Sequence, residues 1–257
     1  MENQDIKIFY DKTFTAEENF EQGCVVPIDK PYTWTSSDVV RKVKSMLKRR
    51  GFKKIKVGHA GTLDPLATGV LVVCIGKATK IAEKLQSERK EYITEVTLGA
   101  TTASFDLEHE VNETFEYEHI TKELVLEALE SFKGEQKQVA PIYSAKWIDG
   151  KRAYEYAREG SDVEIKAVDI NIYDIELLKF ELPKVTVRIE CSKGTYIRSF
   201  GRDLGLKLKS GGHLTMLQRT KSGDFTLENC YSDEEIYQIL TLKNKDNKDN
   251  AANTGEL

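Results

Sequence analysis

Two extended segments in the second half of the chain restrict its possible folds most strongly. Residues 184–191 alternate strictly between apolar and polar side chains, and the apolar ones are Val185, Val187, Ile189 and Cys191. A period of two is typical of a strand with one buried face. Residues 163–180 predict a second strand, and the two strands are expected to pair antiparallel through a turn near Pro183.

The other segments mix strands and helices without a regular alternation. Strands are predicted at 24–28, 70–75, 91–98 and 225–227, a loop at 57–69, and helices at 35–51, 77–85, 124–132, 196–208 and 233–240. A regular strand–helix–strand repeat would indicate a parallel sheet, and this chain has no such repeat. The sequence therefore predicts an α+β fold, with a mixed, mainly antiparallel sheet flanked by helices.

Length and composition exclude several classes of protein. The chain has 257 residues, and its 40% hydrophobic content is ample for a substantial core. No segment approaches the roughly 20 apolar residues of a membrane span, so we expect a cytoplasmic protein without membrane contact. The four cysteines are far apart and form no C-x-x-C pair, which predicts reduced, buried thiols: Cys24, Cys74, Cys191 and Cys230.

The charges are distributed unevenly along the chain. The formal net charge is only -4, but residues 41–56 contain nine basic side chains and no acidic one, whereas residues 106–130 are rich in glutamate. The first part of the basic run falls on the helix predicted at 35–51, opposite its apolar stripe. From charge alone, a solvated helix face is the stronger interpretation and a phosphate-binding face the weaker one.

A glycine-rich segment at 58–69 contains the acidic residue of greatest interest. Asp64 lies between Leu63 and Pro65, where its carboxylate is expected to be partly desolvated and to need a cationic partner. Arg198, at a predicted strand-to-helix junction, is the best candidate for that partner. From the residues alone, a turn-capping role for Asp64 is the stronger interpretation.

Residues 58–71, GHAGTLDPLATGVL, resemble the signature G-H-x-G-x-L-D-P-x-A-x-G-x-L of the TruB family of pseudouridine synthases. Three further segments resemble family motifs in the family's order, and these are DKP at 29–31 with TS at 35–36, KEY at 90–92 and CSKGTYIR at 191–198. PIYSAK at 141–146 also resembles a family segment. The resemblance spans roughly residues 23–224. It implies a pseudouridine synthase fold.

The same resemblance implies a division of the chain. The catalytic domain is expected at 23–228, after an N-terminal extension at 1–22. Residues 229–257 are expected to form a short C-terminal helix and a polar, disordered tail. This segment is too short for the full RNA-binding PUA domain that many relatives carry.

The activity implied by the resemblance is the isomerisation of uridine-55 in the T-loop of tRNA to pseudouridine. The base is flipped out, the bond between N1 and C1′ is cut, the base rotates, and C5 is joined to C1′. The reaction needs no cofactor and no metal. The implied partner is the T-arm stem loop of tRNA, and a monomer is expected.

Three residues correspond to the family's catalytic set. Asp64 matches the catalytic aspartate, which either attacks C1′ or removes the 2′ proton, and the sequence leaves both routes open. Arg198 matches the arginine that pairs with this aspartate, and Tyr92 matches the tyrosine that stacks on the flipped uracil. Without the resemblance, Arg198 would be interpreted as a surface arginine and Tyr92 as a core tyrosine.

Further residues correspond to family positions that bind or support the substrate. His59 matches a histidine against the RNA, Tyr196 a tyrosine of the pocket wall, and Leu217 an apolar pocket residue. Lys30 matches the lysine of a Lys-Pro motif that supports the catalytic loop. Each also has an ordinary interpretation, as a loop histidine, a buried aromatic or a core leucine.

The basic run gains a function from the resemblance. An enzyme that flips a base has to hold a folded RNA stem through its phosphates. The exposed side chains predicted for this contact are Arg41, Lys44 and Lys48, and binding is expected to weaken with salt.

The chain departs from the family pattern at Thr33. A glycine commonly occurs two residues beyond the proline of the Lys-Pro motif, and this chain has threonine there. If the position requires a positive φ, threonine predicts a locally altered turn.

Two other functions remain as alternatives. The first is a non-catalytic tRNA-binding protein or tRNA-folding chaperone on the same fold, which the joint presence of Asp64, Tyr92 and Arg198 disfavours. The second is a small-molecule enzyme with a basic helix. The chain contains neither G-x-x-x-x-G-K-[ST] nor G-x-G-x-x-G, and its four scattered histidines predict no metal site.

Overall fold

A computed structural model describes residues 6–144, 146–148, 150–159 and 163–241. Within these ranges the strands are β1 (Lys7–Ile8), β2 (Cys24–Lys30), β3 (Val57–Ala60), β4 (Ala67–Ile75), β5 (Lys90–Leu98), β6 (Ala100–Thr102), β7 (Val111–Thr114), β8 (Gly134–Gln138), β9 (Trp147–Ile148), β10 (Lys151–Arg152), β11 (Val168–Glu181), β12 (Lys184–Cys191), β13 (Gly212–Ser222) and β14 (Phe225–Thr226). The α-helices are α1 (Ser36–Arg49), α2 (Ala82–Gln86), α3 (Lys122–Glu130), α4 (Ala153–Glu159), α5 (Ile197–Lys207) and α6 (Asp233–Thr241). Two short 3-10 helices cover Gly76–Ile81 and Leu227–Asn229.

One large sheet organises the described part of the chain. Its strands follow the order β1-β2-β4-β13-β5-β12-β11-β8, with β3 paired to β4 and β14 paired to β13. Most neighbours are antiparallel, whereas β1 with β2 and β4 with β13 are parallel. This arrangement confirms the predicted α+β fold with a mixed, mainly antiparallel sheet.

The predicted strand pair forms the hairpin β11–β12. The two strands pair antiparallel from Ile172 opposite Cys191 to Glu181 opposite Lys184. The prediction of a strand start at residue 163 was wrong, because regular pairing begins at Val168, opposite Gln138 of β8. Residues 163–167 form no strand although Val163, Ile165 and Ala167 alternate with polar residues, because the pairing with β8 ends at Val168 opposite Gln138.

The segment predicted as a loop at 57–69 is only partly a loop. Residues of β3 pair with β4, from Val57 opposite Ile75 to Ala60 opposite Val72, and β4 already begins at Ala67. Pairing with β4 satisfies backbone groups that a loop would leave to water. The true loop therefore spans residues 61–66, and it is held at both ends by the sheet.

Strand β13 lies at the centre of the sheet, although no strand was predicted at 212–222. It pairs with β4 on one side and β5 on the other. Its sequence mixes apolar and basic residues without alternation, and Arg219 is nevertheless only 1% exposed. Pairing on both edges, rather than local pattern, makes this segment a strand.

Helix α1 connects the core to the loop at 61–66. Thr35 caps its N-terminus in a capping box with Asp38, as the sequence predicts. The apolar stripe of the helix packs into the core through Val39, Val43, Met46 and Leu47. The Ser36 hydroxyl accepts from the Leu63 amide at 2.8 Å and donates to its carbonyl at 3.1 Å, which fixes the loop against the helix.

Segments at both ends pack on the same core. Phe9, Phe14 and Phe20 join it from before β2, and Ile236 and Leu240 join it from α6. The division at 22/23 and 228/229 stays a prediction, and the predicted polar tail lies outside the described residues.

The four cysteines are free and buried, which confirms that prediction. In the described ranges no helix is both long and apolar enough to cross a membrane.

Candidate active site

The loop at 61–66 borders a cavity of about 300 Å³. The cavity opens between this loop, strands β5 and β13, and the start of α5. Its lining includes Asp64, Lys90, Tyr92, Tyr196, Arg198, Leu217 and Arg219. The structure therefore brings together five of the residues predicted for the site, from four separate parts of the chain.

The centre of the cavity is an ion pair between Asp64 and Arg198. Arg198 Nε donates to Asp64 Oδ2 at 2.8 Å, and Nη2 donates to Asp64 Oδ1 at 3.1 Å. The Arg198 side chain is only 3% exposed, whereas Asp64 keeps 34% of its side-chain surface. A two-point guanidinium–carboxylate contact fixes both the position and the plane of the carboxylate. Asp64 is thus held rigidly while one side stays open to the cavity.

A second carboxylate lies behind Arg198. Arg198 Nη1 donates to the Ser104 carbonyl at 3.1 Å, and Asp106 Oδ2 lies 3.6 Å from Arg198 Nε. Asp106 is itself held by the Ser104 hydroxyl at 2.5 Å and by the Glu108 amide at 3.0 Å. These bonds prevent the arginine from rotating away from Asp64.

Tyr92 forms part of the cavity wall from β5. It is 9% exposed, and burial raises the pKa of its hydroxyl, while the neighbouring Arg219 guanidinium opposes this rise in pKa. Leu217 and Tyr196 complete the apolar part of the lining. Gln138 holds the Tyr196 backbone through two hydrogen bonds, at 2.8 Å to the amide and 3.0 Å to the carbonyl.

Arg219 connects the start of the loop at 61–66 to strand β4. Its guanidinium donates to the carbonyl oxygens of Val70 at 2.7 Å, Gly61 at 3.0 Å and Thr62 at 3.5 Å. Gly69 has a φ of +100°, and a Cβ there would lie 2.2 Å from the Arg219 carbonyl oxygen. Only glycine permits this approach of β4 to β13.

Lys90 lies two residues before Tyr92 on β5 and is 5% exposed. Its ammonium donates to the Gln86 and Glu88 carbonyls, both at 2.6 Å. Burial, reinforced by the charge of Arg219, lowers the pKa of Lys90 to about 8.

Lys30 supports the loop from outside the cavity. It is fully buried, and its ammonium donates to the carbonyls of Trp34 at 2.5 Å, Pro31 at 2.9 Å and Pro65 at 3.2 Å. Burial lowers the pKa of Lys30 to about 8, and the negative charge of Asp64 opposes this shift. The bond to Pro65 ties the turn after β2 to the residue that follows Asp64.

The turn after β2 adopts the conformation that a glycine would favour. Thr33 has a φ of +69°, in the left-handed region that threonine rarely occupies. The altered turn that the sequence predicts is therefore absent at this residue, which accepts the strained backbone instead.

Four predicted contact residues do not line the cavity. His59 lies on β3, and its Nδ1 is buried with no hydrogen-bond partner among the described residues. Burial and the nearby charge of Arg219 lower the pKa of His59. The other three are exposed on α1, namely Arg41, Lys44 and Lys48.

Comparison with known proteins shows the family of this chain. The family model described as "TruB family pseudouridylate synthase (N terminal domain)" matches residues 49–197, which is more than half of the chain. The chain belongs to the TruB family. A second model, "tRNA pseudouridylate synthase B C-terminal domain", matches residues 198–253.

Relatives within the TruB family cover nearly the whole chain. A protein named tRNA pseudouridine synthase B from Phocaeicola vulgatus is 56% identical over 223 residues, covering 86% of this chain and 95% of the relative. A protein of the same name from Parabacteroides distasonis is 51% identical over 223 residues, covering 86% of this chain and 95% of that relative.

Solved structures carry the same fold. A Cbf5-Nop10-Gar1 complex contains a chain that matches 93% of this one with 27% identity and a TM-score of 0.65. An H/ACA RNP bound to a substrate RNA containing 2'-deoxyuridine matches 93% with 26% identity and a TM-score of 0.64. This chain spans 65% and 59% of the length of those two chains. The predicted pseudouridine synthase fold is confirmed.

Sequence analysis missed three residues of this TruB family site, namely Lys90, Asp106 and Arg219. Lys90 was quoted within the KEY segment but received no role, and Arg219 was not singled out. Asp106 stands in a glutamate-rich stretch that indicated only surface charge. If β13 had been predicted as a central strand, a basic residue within it would have indicated Arg219.

Proposed function

We propose that this chain isomerises uridine-55 in the T-loop of tRNA to pseudouridine. Asp64 is the catalytic carboxylate, Arg198 pairs with it, and Tyr92 stacks on the flipped uracil. The names of the relatives from Phocaeicola and Parabacteroides support tRNA as the substrate.

The observation that carries the proposal is the two-point contact between Arg198 and Asp64 beside an open cavity. The contact leaves the accessible side of the carboxylate facing the space in which a flipped nucleoside would lie. From that position Asp64 acts on the ribose, by attack at C1′ or by removal of the 2′ proton. Both routes break the N1–C1′ bond without a change of oxidation state.

The wall of the cavity supports recognition of a planar base. Tyr92 and Leu217 contribute flat and apolar surface, and Tyr196 closes the side near α5. Stacking on an aromatic ring offsets part of the cost of removing the base from its stack. Lys30 holds the loop that carries Asp64, and His59 lies on the adjoining strand to contact the RNA.

The remaining parts of the proposal concern partners and location. The T-arm stem loop binds along the basic face of α1 through Arg41, Lys44 and Lys48. The enzyme works as a cytoplasmic monomer, without cofactor or metal. Among the described residues, no group of three or more His, Cys, Asp or Glu side chains is arranged for a metal ion.

The test is a pseudouridine assay with purified protein and an unmodified T-arm stem loop, in chelator and without added cofactor. The expected result is pseudouridine at the T-loop uridine alone, detected by nucleoside mass spectrometry of the digested RNA. A stem loop with cytidine at that position serves as the matched control. Tight binding without product would replace the proposal with the non-catalytic RNA-binding alternative.

A further inference from the structure

The side chains that line the cavity carry more positive than negative charge. The lining contains six cationic side chains and one carboxylate, with Asp64 as the acid and Lys90, Lys146, Arg152, Lys193, Arg198 and Arg219 as the cations. Arg198 is balanced by Asp64 and Asp106. Among the described residues, no carboxylate oxygen lies within 4.0 Å of a charged nitrogen of Arg219 or Lys90.

The sheet register places these two cations beside Tyr92. Arg219 is directly opposite Tyr92 in the β13–β5 pair, so both side chains project from the same face. Lys90 precedes Tyr92 by two residues on β5 and therefore lies on that face as well. Lys90 and Arg219, which we call the cationic floor of the cavity, therefore lie next to the ring on which the uracil is proposed to stack.

Burial of these two cations has a large desolvation cost, and holding the loop in place does not by itself require a positive charge. Arg219 is 1% exposed, and its three backbone bonds use three of the five N–H groups of a guanidinium. Neutral donors could hold backbone carbonyls equally well without the desolvation cost of a charge. An unbalanced buried cation beside the proposed base-stacking ring is suited to stabilise negative charge that develops on the base during the reaction.

Such a charge arises in the proposed reaction. We infer that Arg219, assisted by Lys90, stabilises the uracil anion formed when the N1–C1′ bond breaks. This inference rests on the proposed function and adds a role that neither the ion pair of Asp64 nor the ring of Tyr92 performs.

The electron balance of the step is complete. The N1–C1′ electron pair stays on the base, whose negative charge spreads over N1, O2 and O4. C1′ receives electrons either from an Asp64 oxygen, which forms a new C–O bond, or from the C2′–H bond, whose proton passes to Asp64. After rotation, C5 bonds to C1′. In the first route the C–O bond to Asp64 breaks and its electron pair returns to the carboxylate, and in the second route a proton returns from Asp64 to C2′. The base then loses the C5 proton and gains one at N1, so no oxidant or reductant is needed.

Leaving-group chemistry provides the test. Single-turnover conversion is measured for a T-arm stem loop with uridine and for one with 5-fluorouridine at the target position, by the disappearance of the original nucleoside. Fluorine stabilises the anion within the base, so the fluorinated substrate depends less on the protein. For Arg219→Gln we expect conversion of uridine to slow by about 100-fold, and that of 5-fluorouridine by on the order of 10-fold.

Two further variants keep the test informative if Arg219→Gln folds poorly. Arg219→Lys keeps the charge, and Lys90→Gln removes the second cation while leaving the bonds from Arg219 to the loop intact. Lys90→Gln is expected to slow the conversion of uridine more than that of 5-fluorouridine, with a smaller difference between the two substrates than in Arg219→Gln. The difference is expected to be smallest in Arg219→Lys. Arg188→Gln is the matched control, because this strand arginine lies outside the cavity and is balanced by Glu91, Asp174 and Glu176.

The outcomes separate this inference from the proposed function. If Arg219→Gln and Lys90→Gln slow the conversion of both substrates equally while the wild type is active, the inference is overturned and the proposed function stands. Arg219 would then only support the loop. Absence of pseudouridine with the wild-type protein would overturn the proposed function and this inference with it. A larger effect on uridine than on 5-fluorouridine, absent in Arg188→Gln, would support the inference.

Discussion

The cations around the cavity and the cations on helix α1 have the same chemistry and opposite surroundings. Arg198 and Arg219 are buried and bonded to fixed acceptors, whereas Lys44 and Lys48 extend into solvent. A buried charge acts at full strength in a low dielectric, and an exposed one is screened by salt. This difference fits the proposed division of function, in which fixed charges serve the chemical step and exposed charges bind the RNA backbone.

The largest effect is expected from the cavity. Asp64→Asn removes the reacting oxygen while keeping the shape of the side chain, so pseudouridine formation is expected to fall below detection. RNA binding is expected to stay within about 2-fold of wild type, because the phosphate contacts are elsewhere. Nucleoside analysis and a filter-binding titration of the same preparation measure the two quantities. Residual turnover by the pure variant would remove Asp64 from its role and break the division between the regions.

The pH dependence of the chemical step gives the next largest effect. Lys90 is charged below its pKa of about 8 and neutral above it, so the single-turnover rate is expected to fall as pH rises through 8, by up to about 10-fold per pH unit. The positive charges of Arg219 and Lys193 face Lys90 and favour dissociation of its proton, whereas the negative charge of Glu88 opposes it. The neighbouring Cys191 thiol stays neutral near pH 8, because burial raises its pKa to about 12.

Lys90→Arg provides the control for this limb of the profile, because arginine keeps its charge throughout the range. The decline near pH 8 is expected to disappear or move upwards in that variant. An unchanged limb would assign the titration to another group and remove Lys90 from the chemical step.

A smaller effect is expected from the exposed face of α1. Replacing Arg41, Lys44 and Lys48 together by glutamine is expected to weaken RNA binding by about 10-fold at low salt, and to reduce the salt slope by about 1 for each phosphate that the variant no longer binds. The rate of bound RNA is expected to stay unchanged. Replacing the exposed lysines Lys137, Lys179 and Lys184 together by glutamine removes the same number of positive charges and is the matched control. An equal decrease of affinity in this control would indicate an effect of net charge rather than a binding face.

The smallest effect concerns the turn that joins the two regions. Thr33 holds a φ of +69° between buried Lys30 and helix α1. Thr33→Gly is expected to relieve this strain and to raise the free energy of unfolding by about 0.5–1 kcal/mol, after the entropy cost of glycine is included. Urea titration measures the change, and Thr33→Ala, which keeps a Cβ, is expected to give no gain. A destabilised Thr33→Gly would show that the threonine side chain stabilises this turn.

Local pattern was sufficient for those parts of the fold whose stabilising partners are close in sequence. The β11–β12 hairpin follows from alternation around a single turn, and α1 from a capping box with an apolar stripe. Strand β13 did not follow, because its partners β4 and β5 lie more than 100 residues earlier and nothing in its own residues indicates them.

The candidate site divides in the same way. The sequence by itself predicted the fold class and singled out Asp64, Tyr92 and Arg198, because each lies within a segment that resembles a family motif. Only the tertiary structure decided that Asp106 supports Arg198 and that Arg219 and Lys90 form an unbalanced cationic floor beside Tyr92. The physical reason is that charge balance depends on which side chains meet in space, and these groups come from strands and loops that are distant along the chain.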